Sequence, residues 1–282
     1  MMIEAHGKLN LSLDILRKRD DGYHDVAMIM QSVALCDYVS VEQSKGKEIS
    51  VYTNHPDVPN DKRNLAYRAC QEMISEFGLD CGFRVEIEKH IPVAGGMAGG
   101  STDAAAVIKA INQICGLNLT EKRMMEIGLR LGADVPFCIQ ERPALATGIG
   151  EILTHVCGLP EYLWILLVNP NRKVSTKIVY EMIDRNLIYG TVNNDAICEA
   201  LASGNITAAA KHMKNVMESV SVTLCPQIRD ILQNIQELGA LHAMMSGSGA
   251  TCFGIFDRLP DVRRAQELFH DCYVELTKPL VF

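Results

Sequence analysis

The sequence predicts an α+β protein of two domains, residues 1–157 and 158–282. Three observations lead there. Period-two and period-3.6 hydrophobic patterns succeed one another along the whole chain, with no internal repeat. The length of 282 residues suits one large domain or two of ordinary size. The pattern also changes near residue 157, where a new buried strand opens a second series of elements.

Taken in order, Leu9, Leu11, Leu13 and Ile15 are apolar while Asn10, Ser12 and Asp14 are polar, which predicts a half-buried strand. Residues 17–23 are polar and carry an Asp21-Gly22 turn, and residues 26–35 return as a strand. Residues 47–53 predict another. Leu65, Ala69, Met73 and Phe77 recur at helical spacing, and Gly78 suits the left-handed residue that ends a helix. Phe83, Val85 and Ile87 alternate with Arg84, Glu86 and Glu88 as a strand. A glycine-rich loop follows, then an alanine-rich helix stopped by Gly116, then a helix capped by Thr120 and ending before Gly132. Residues 144–156 predict a hairpin around Gly148-Ile149-Gly150.

Beyond the boundary, residues 164–168 predict a buried strand. Two or three helices lie between residues 176 and 220, broken at Asn193-Asn194-Asp195. Ile228, Ile231, Leu232, Ile235 and Leu238 form a helical stripe that reads as core. Residues 241–245 and 250–256 predict strands around Gly247-Ser248-Gly249, and a helix over 262–269 and a last strand close the chain.

A net charge of −7 with no basic patch argues against a nucleic-acid surface, since Arg17-Lys18-Arg19 is cancelled at once by Asp20-Asp21. Ten cysteines occur without any C-x-x-C pair. Their scatter in apolar patterns predicts free thiols in a reducing cytoplasm, with neither a disulfide framework nor a zinc site. The first residues lack the apolar core of a signal peptide, and the run over 163–168 is too short to span a bilayer.

The chemistry concentrates in Pro92-Val93-Ala94-Gly95-Gly96-Met97-Ala98-Gly99-Gly100-Ser101-Thr102. Two glycine pairs after a strand and before a helix allow backbone to approach a ligand closely. The helix start adds free N–H groups and partial positive charge, which together predict a phosphate cradle. It is neither a Walker A loop, lacking Gly-Lys-Ser/Thr, nor a G-x-G-x-x-G dinucleotide turn.

Three motifs then fit one picture: Gly7-Lys8-Leu9-Asn10-Leu11-Ser12-Leu13, the glycine loop, and Met245-Ser246-Gly247-Ser248-Gly249-Ala250-Thr251. Together they resemble the GHMP kinases, named for galactokinase, homoserine kinase, mevalonate kinase and phosphomevalonate kinase. Asp21-Gly22-Tyr23-His24, Gly132-Ala133-Asp134-Val135-Pro136-Phe137 and Ala146-Thr147-Gly148-Ile149-Gly150-Glu151 are similar to the isoprenoid-pathway branch of that family. The resemblance spans residues 5–256. It implies a GHMP kinase fold, with an S5-like ATP-binding domain and a ferredoxin-like C-terminal domain. It implies transfer of phosphate from ATP, with magnesium (Mg2+), to a hydroxyl of a cytidyl sugar alcohol. It also implies a monomer or weak homodimer that binds neither nucleic acid nor membrane.

By resemblance Asp134 is the base for the attacking hydroxyl and Lys8 its partner and a support for the γ-phosphate. On residue type alone, Asp134 reads rather as a helix C-terminal turn residue and Lys8 as a solvated strand end. The resemblance gives the ATP phosphates to Pro92, Val93, Ala94, Gly95, Gly96, Met97, Ala98, Gly99, Gly100, Ser101 and Thr102. Ser101 or Thr102 would contact magnesium, and no carboxylate ligand stands out. Asn10 would bond substrate, His24 and Tyr23 would read the cytidine base, and Tyr180 would lie against it or belong to the core. The chain departs from the family at His6-Gly7, where Pro-Ala is frequent, at Ala98, where glycine is common, and at Ser101-Thr102, where Ser-Ser is common.

Overall fold

The structure is a computed structural model that describes residues 1–190 and 192–281. Its elements form two compact units, each made of three chain segments. The first comprises residues 1–7, 35–93 and 98–141; the second comprises 8–34, 94–97 and 142–282. The sequence reading has one boundary at residue 157. The chain instead changes unit within two long strands, β1 (Met2–Lys18) and β2 (His24–Ser44), on either side of the loop tip, and after Glu141. Strands of 17 and 21 residues outrun one core, so sequence order does not separate the units.

In the first unit the end of β2 pairs antiparallel with β4 (Gly82–Glu88), with Val39 opposite Ile87 and Val41 opposite Val85. Strand β3 (Ile49–Thr53) lies parallel on the other side of β4, and helix α1 (Leu65–Phe77) makes the crossover that parallel neighbours require. Asn64 caps the start of α1, and Gly78, at φ 59°, ends it as the sequence predicts. Helix α2 (Gly99–Ile114) packs its alanine face on α1, and α3 (Glu121–Leu129) starts at the Thr120 cap. Phe83, Val85, Met73, Ile108 and Ile111 are fully buried in this core. The sequence pattern misses α4 (Val135–Gln140): five of its six residues are buried, so no polar face marks a period.

In the second unit the start of β2 pairs with β5 (Ala144–Thr147), which turns into β6 (Ile152–His155) through the expected hairpin. Strand β7 (Trp164–Asn169) precedes α5 (Thr176–Asn186), α6 (Asn194–Ala202), α7 (Ile206–His212), α8 (Glu218–Leu224) and α9 (Gln227–Glu237). Then come β8 (His242–Met245), β9 (Cys252–Phe256), α10 (Val262–Leu268) and β10 (Tyr273–Thr277). The antiparallel sheet has the order β10-β7-β9-β8, the ferredoxin-like arrangement. Ile228, Ile231 and Ile235 of α9 are buried, whereas Leu232 and Leu238 are half-exposed.

One expectation fails on β1. The alternation predicts a solvent face for Lys8, Asn10, Ser12 and Asp14, yet all four are buried. Their polar groups find partners inside the protein, as buried polar groups must. No helix among the described residues is long and apolar enough to cross a membrane.

Candidate active site

The buried polar face of β1 builds the centre of the site in the second unit. The Lys8 ammonium donates to the Asn10 Oδ1 at 2.6 Å, and the other end of the Asn10 amide meets the Met28 sulfur at 3.1 Å. Lys8 is only 4% exposed, and its ammonium is held by a neutral amide. A dry cation held by a neutral amide attracts an anion. Asn10, with both ends of its amide engaged, aims Lys8.

Backbone bonds strap the glycine loop to this strand. The Lys8 N–H donates to the Met97 carbonyl at 3.1 Å. The Ser246 hydroxyl, which accepts from the Asn10 N–H at 3.3 Å, donates to the Gly96 carbonyl at 3.0 Å, and the Thr251 N–H donates to the Gly95 carbonyl at 3.2 Å. The third motif is thus the loop's support. Along the loop φ is positive at Ala94, Gly96 and Ala98, every second residue. That alternation turns successive N–H groups to one side, as in anion-binding nests. Gly96 has no room for a side chain: a Cβ there would fall on the Ser246 carbonyl and lie 3.2 Å from the Gly249 nitrogen.

In the first unit the loop runs into α2, whose first turn has neither a side-chain cap nor an acidic residue. Its opening N–H groups remain available to an anion. Ser101 is half-buried, whereas Thr102 is 1% exposed and donates its hydroxyl to the His6 carbonyl at 2.8 Å. Of the pair, Ser101 is therefore the hydroxyl not committed to that bond. Asp103 turns away into a buried cluster, with the Lys89 ammonium between Asp103, at 2.7 Å, and Asp37. Asp37 also accepts the His90 and Ile91 N–H groups. Burial pushes Asp103 up to about 7, with the Asp37 charge adding to it and Lys89 opposing it. Asp134 begins α4, with Val135-Pro136 as the first helical residues, and its side chain makes no capping bond. Lys8 and Asp134 belong to different units.

Three further predicted residues come together in the second unit. Tyr23, His24 and Tyr180 line one cavity of about 390 Å³ with Lys18, Thr176 and Asp184. His24 and Tyr180 stack with ring centroids 4.5 Å apart and planes 20° apart. The His24 Nε2 bonds the Asp184 Oδ1 at 2.7 Å. Lys18, at 2.6 Å, and the Tyr189 hydroxyl, at 2.9 Å, also hold Asp184. Burial would raise its carboxyl, but these bonds outweigh burial and hold it at about 2. Asp184 was not singled out in the sequence, although Tyr180 and Asp184 stand four apart on one helix face, a usable signal.

With this geometry in view, the relatives are informative. The family model described as GHMP kinases N terminal domain matches residues 64–142, and GHMP kinases C terminal matches residues 197–274. The chain is 46% identical over 259 residues to a 4-diphosphocytidyl-2-C-methyl-D-erythritol kinase of Clostridioides difficile, covering 92% of this chain and 88% of that one. It is 42% identical over 267 residues to the protein of that name from Alkaliphilus metalliredigens, covering 95% and 91%. A crystal structure of 4-(cytidine 5'-diphospho)-2C-methyl-D-erythritol kinase superposes with a TM-score of 0.80 at 31% identity, covering 99% of both chains. A homoserine kinase from Cytophaga hutchinsonii, at 16% identity and a TM-score of 0.72, shares the fold. The chain belongs to the GHMP kinase family, enzymes that transfer phosphate from ATP to small molecules.

Proposed function

We propose that this kinase phosphorylates the 2-hydroxyl of 4-diphosphocytidyl-2-C-methyl-D-erythritol, a step of non-mevalonate isoprenoid precursor biosynthesis. The observation that carries the reading is the cavity at His24. Asp184 takes the Nε2–H of the ring and so leaves Nδ1 as an acceptor. An acceptor there suits the exocyclic amine of cytosine and rejects a carbonyl, so the site prefers cytidine to uridine. Tyr23 and Tyr180 offer ring faces beside it.

The ATP phosphates would lie on the loop and on the first turn of α2, where Ser101 would contact a magnesium ion that screens their charge. Asp134 takes the proton of the 2-hydroxyl. The oxygen then forms a bond to the γ-phosphorus as the bond to the β-phosphate oxygen breaks, and ADP leaves with that electron pair. Lys8 offsets the charge that spreads over the transferring phosphoryl group. The burial of Lys8 against a neutral amide supports that role, and an Asp134 side chain that makes no capping bond supports the base. We place the protein in the cytoplasm, in keeping with ten free cysteines, as a monomer or weak homodimer without a nucleic-acid partner.

The test is ADP release with MgATP and the cytidyl acceptor, beside the sugar phosphate lacking cytidine. Turnover restricted to the cytidyl compound, lost in Asp134→Asn and Lys8→Ala with ATP binding retained in Asp134→Asn, is expected. Equal turnover of the compound lacking cytidine would refute the assigned acceptor.

A further inference from the structure

The phosphoryl-transfer reading leaves His6 without a task. His6 and Glu4 are two apart on β1 and so share a face, and Cys36 lies on β2, the strand that pairs with β1. One ligand atom from each of Glu4, His6 and Cys36 lies within 4.8 Å of the others. Among the described residues this is the one place where three such side chains converge. The sequence spacing gives no hint of it, because Cys36 is thirty residues away and reaches the pair only through the strand hairpin.

The arrangement around His6 is what a metal site needs. Its Nδ1 meets the Glu141 Oε1 at 3.0 Å, and Glu141 is itself held by Lys109 at 2.7 Å. A carboxylate on Nδ1 sets the tautomer and turns the Nε2 lone pair outward, the usual second contact of a metal-bound histidine. Nε2 lies 3.6 Å from the Glu4 Oε2. Two ligands at about 2.1 Å from one ion in tetrahedral geometry stand about 3.5 Å apart, so this edge is already set. Cys36 is buried and Glu4 is exposed, which gives a fixed thiol, a fixed imidazole and a mobile carboxylate at the entrance.

We propose that Glu4, His6 and Cys36 form a transition-metal site that takes zinc, with water in the fourth position and Glu141 as the positioning residue of His6. Thiolate, imidazole and carboxylate together select zinc over magnesium or calcium, which prefer oxygen alone. On binding, the Cys36 sulfur bonds the ion and its proton leaves to solvent, so uptake of each zinc releases one proton. The site also touches the first turn of α2, because the His6 carbonyl holds the Thr102 hydroxyl.

The test is titration of the full chain, stripped with chelator, with Co2+ as a spectroscopic stand-in, followed by Zn2+ competition. We expect one equivalent to give the near-ultraviolet thiolate-to-cobalt band and tetrahedral visible bands, displaced by Zn2+. Cys36→Ser abolishes the thiolate band, whereas Cys157→Ser, at an exposed cysteine, leaves it. Glu141→Gln keeps the band but weakens binding about 10–100-fold. Glu4→Gln, at an exposed side chain, weakens binding with no change in circular dichroism, which separates loss of a ligand from loss of the fold. A thiolate band that survives Cys36→Ser, binding unchanged by Glu4→Gln, or cobalt bound without a thiolate band overturns the site.

Discussion

Replacing Gly96 by alanine should damage the protein locally and severely. The residue has φ 79°, where an alanine costs about 1 kcal/mol relative to glycine. Its Cβ would overlap the Ser246 carbonyl oxygen and come within 3.0 Å of the carbonyl carbon. Both neighbours are backbone, so no flexible side chain can yield, and loop and motif must part by about 1 Å to restore ordinary contact. That displacement breaks the Ser246–Gly96 and Thr251–Gly95 hydrogen bonds, each worth about 1 kcal/mol. The expected loss is about 3 kcal/mol, read as a lower urea midpoint at unchanged slope. On the proposed reading, in which the loop holds the ATP phosphates, KM for MgATP should rise at least tenfold as well. Gly46→Ala is the control, since nothing lies within 4 Å of its Cβ. A Gly96→Ala protein within 0.5 kcal/mol of that control, a margin of ordinary surface substitutions, with KM for MgATP unchanged, would refute the reasoning.

The buried Lys89 cluster yields two further expectations. Lys89→Met leaves Asp37 and Asp103 facing each other without a cation and should cost about 3–5 kcal/mol in urea melts at pH 8. Asp103 sits at about 7 in the fold against an ordinary 3.8, so the native state holds a proton that the unfolded chain has lost. The stability this contributes is complete below about pH 4 and drains away as pH rises through 7, by up to about 1.4 kcal/mol per unit. Asp103→Asn should flatten that slope between pH 4 and 7, and a parallel slope in the variant would contradict the assignment. In the cavity at His24, proposed to read cytidine, Asp184→Asn frees the His24 tautomer, and steady-state kinetics should show a KM for the cytidyl acceptor raised by about tenfold, with KM for MgATP unchanged.

Much of this protein follows from local rules. The alternation of Phe83, Val85 and Ile87 requires a strand with one face in a core, and Gly78 ends α1 because a left-handed residue there is cheapest as glycine. The paired glycines before α2 announce a close backbone approach, and the order of the three motifs identifies the family. Tertiary structure decided what those residues meet. Asn10 and Asp14 look like a solvent face in a period-two pattern, and they are buried because other chain segments cover both sides of β1. His24 finds Asp184 across 160 residues, Lys89 finds Asp37 across 52, and His6 finds Glu141 across 135. Such partners are chosen by strand pairing and packing over long loops, which leave no period in the sequence. Local pattern therefore determined the elements and the chemistry on offer, and only the folded chain determined which charge lies beside which.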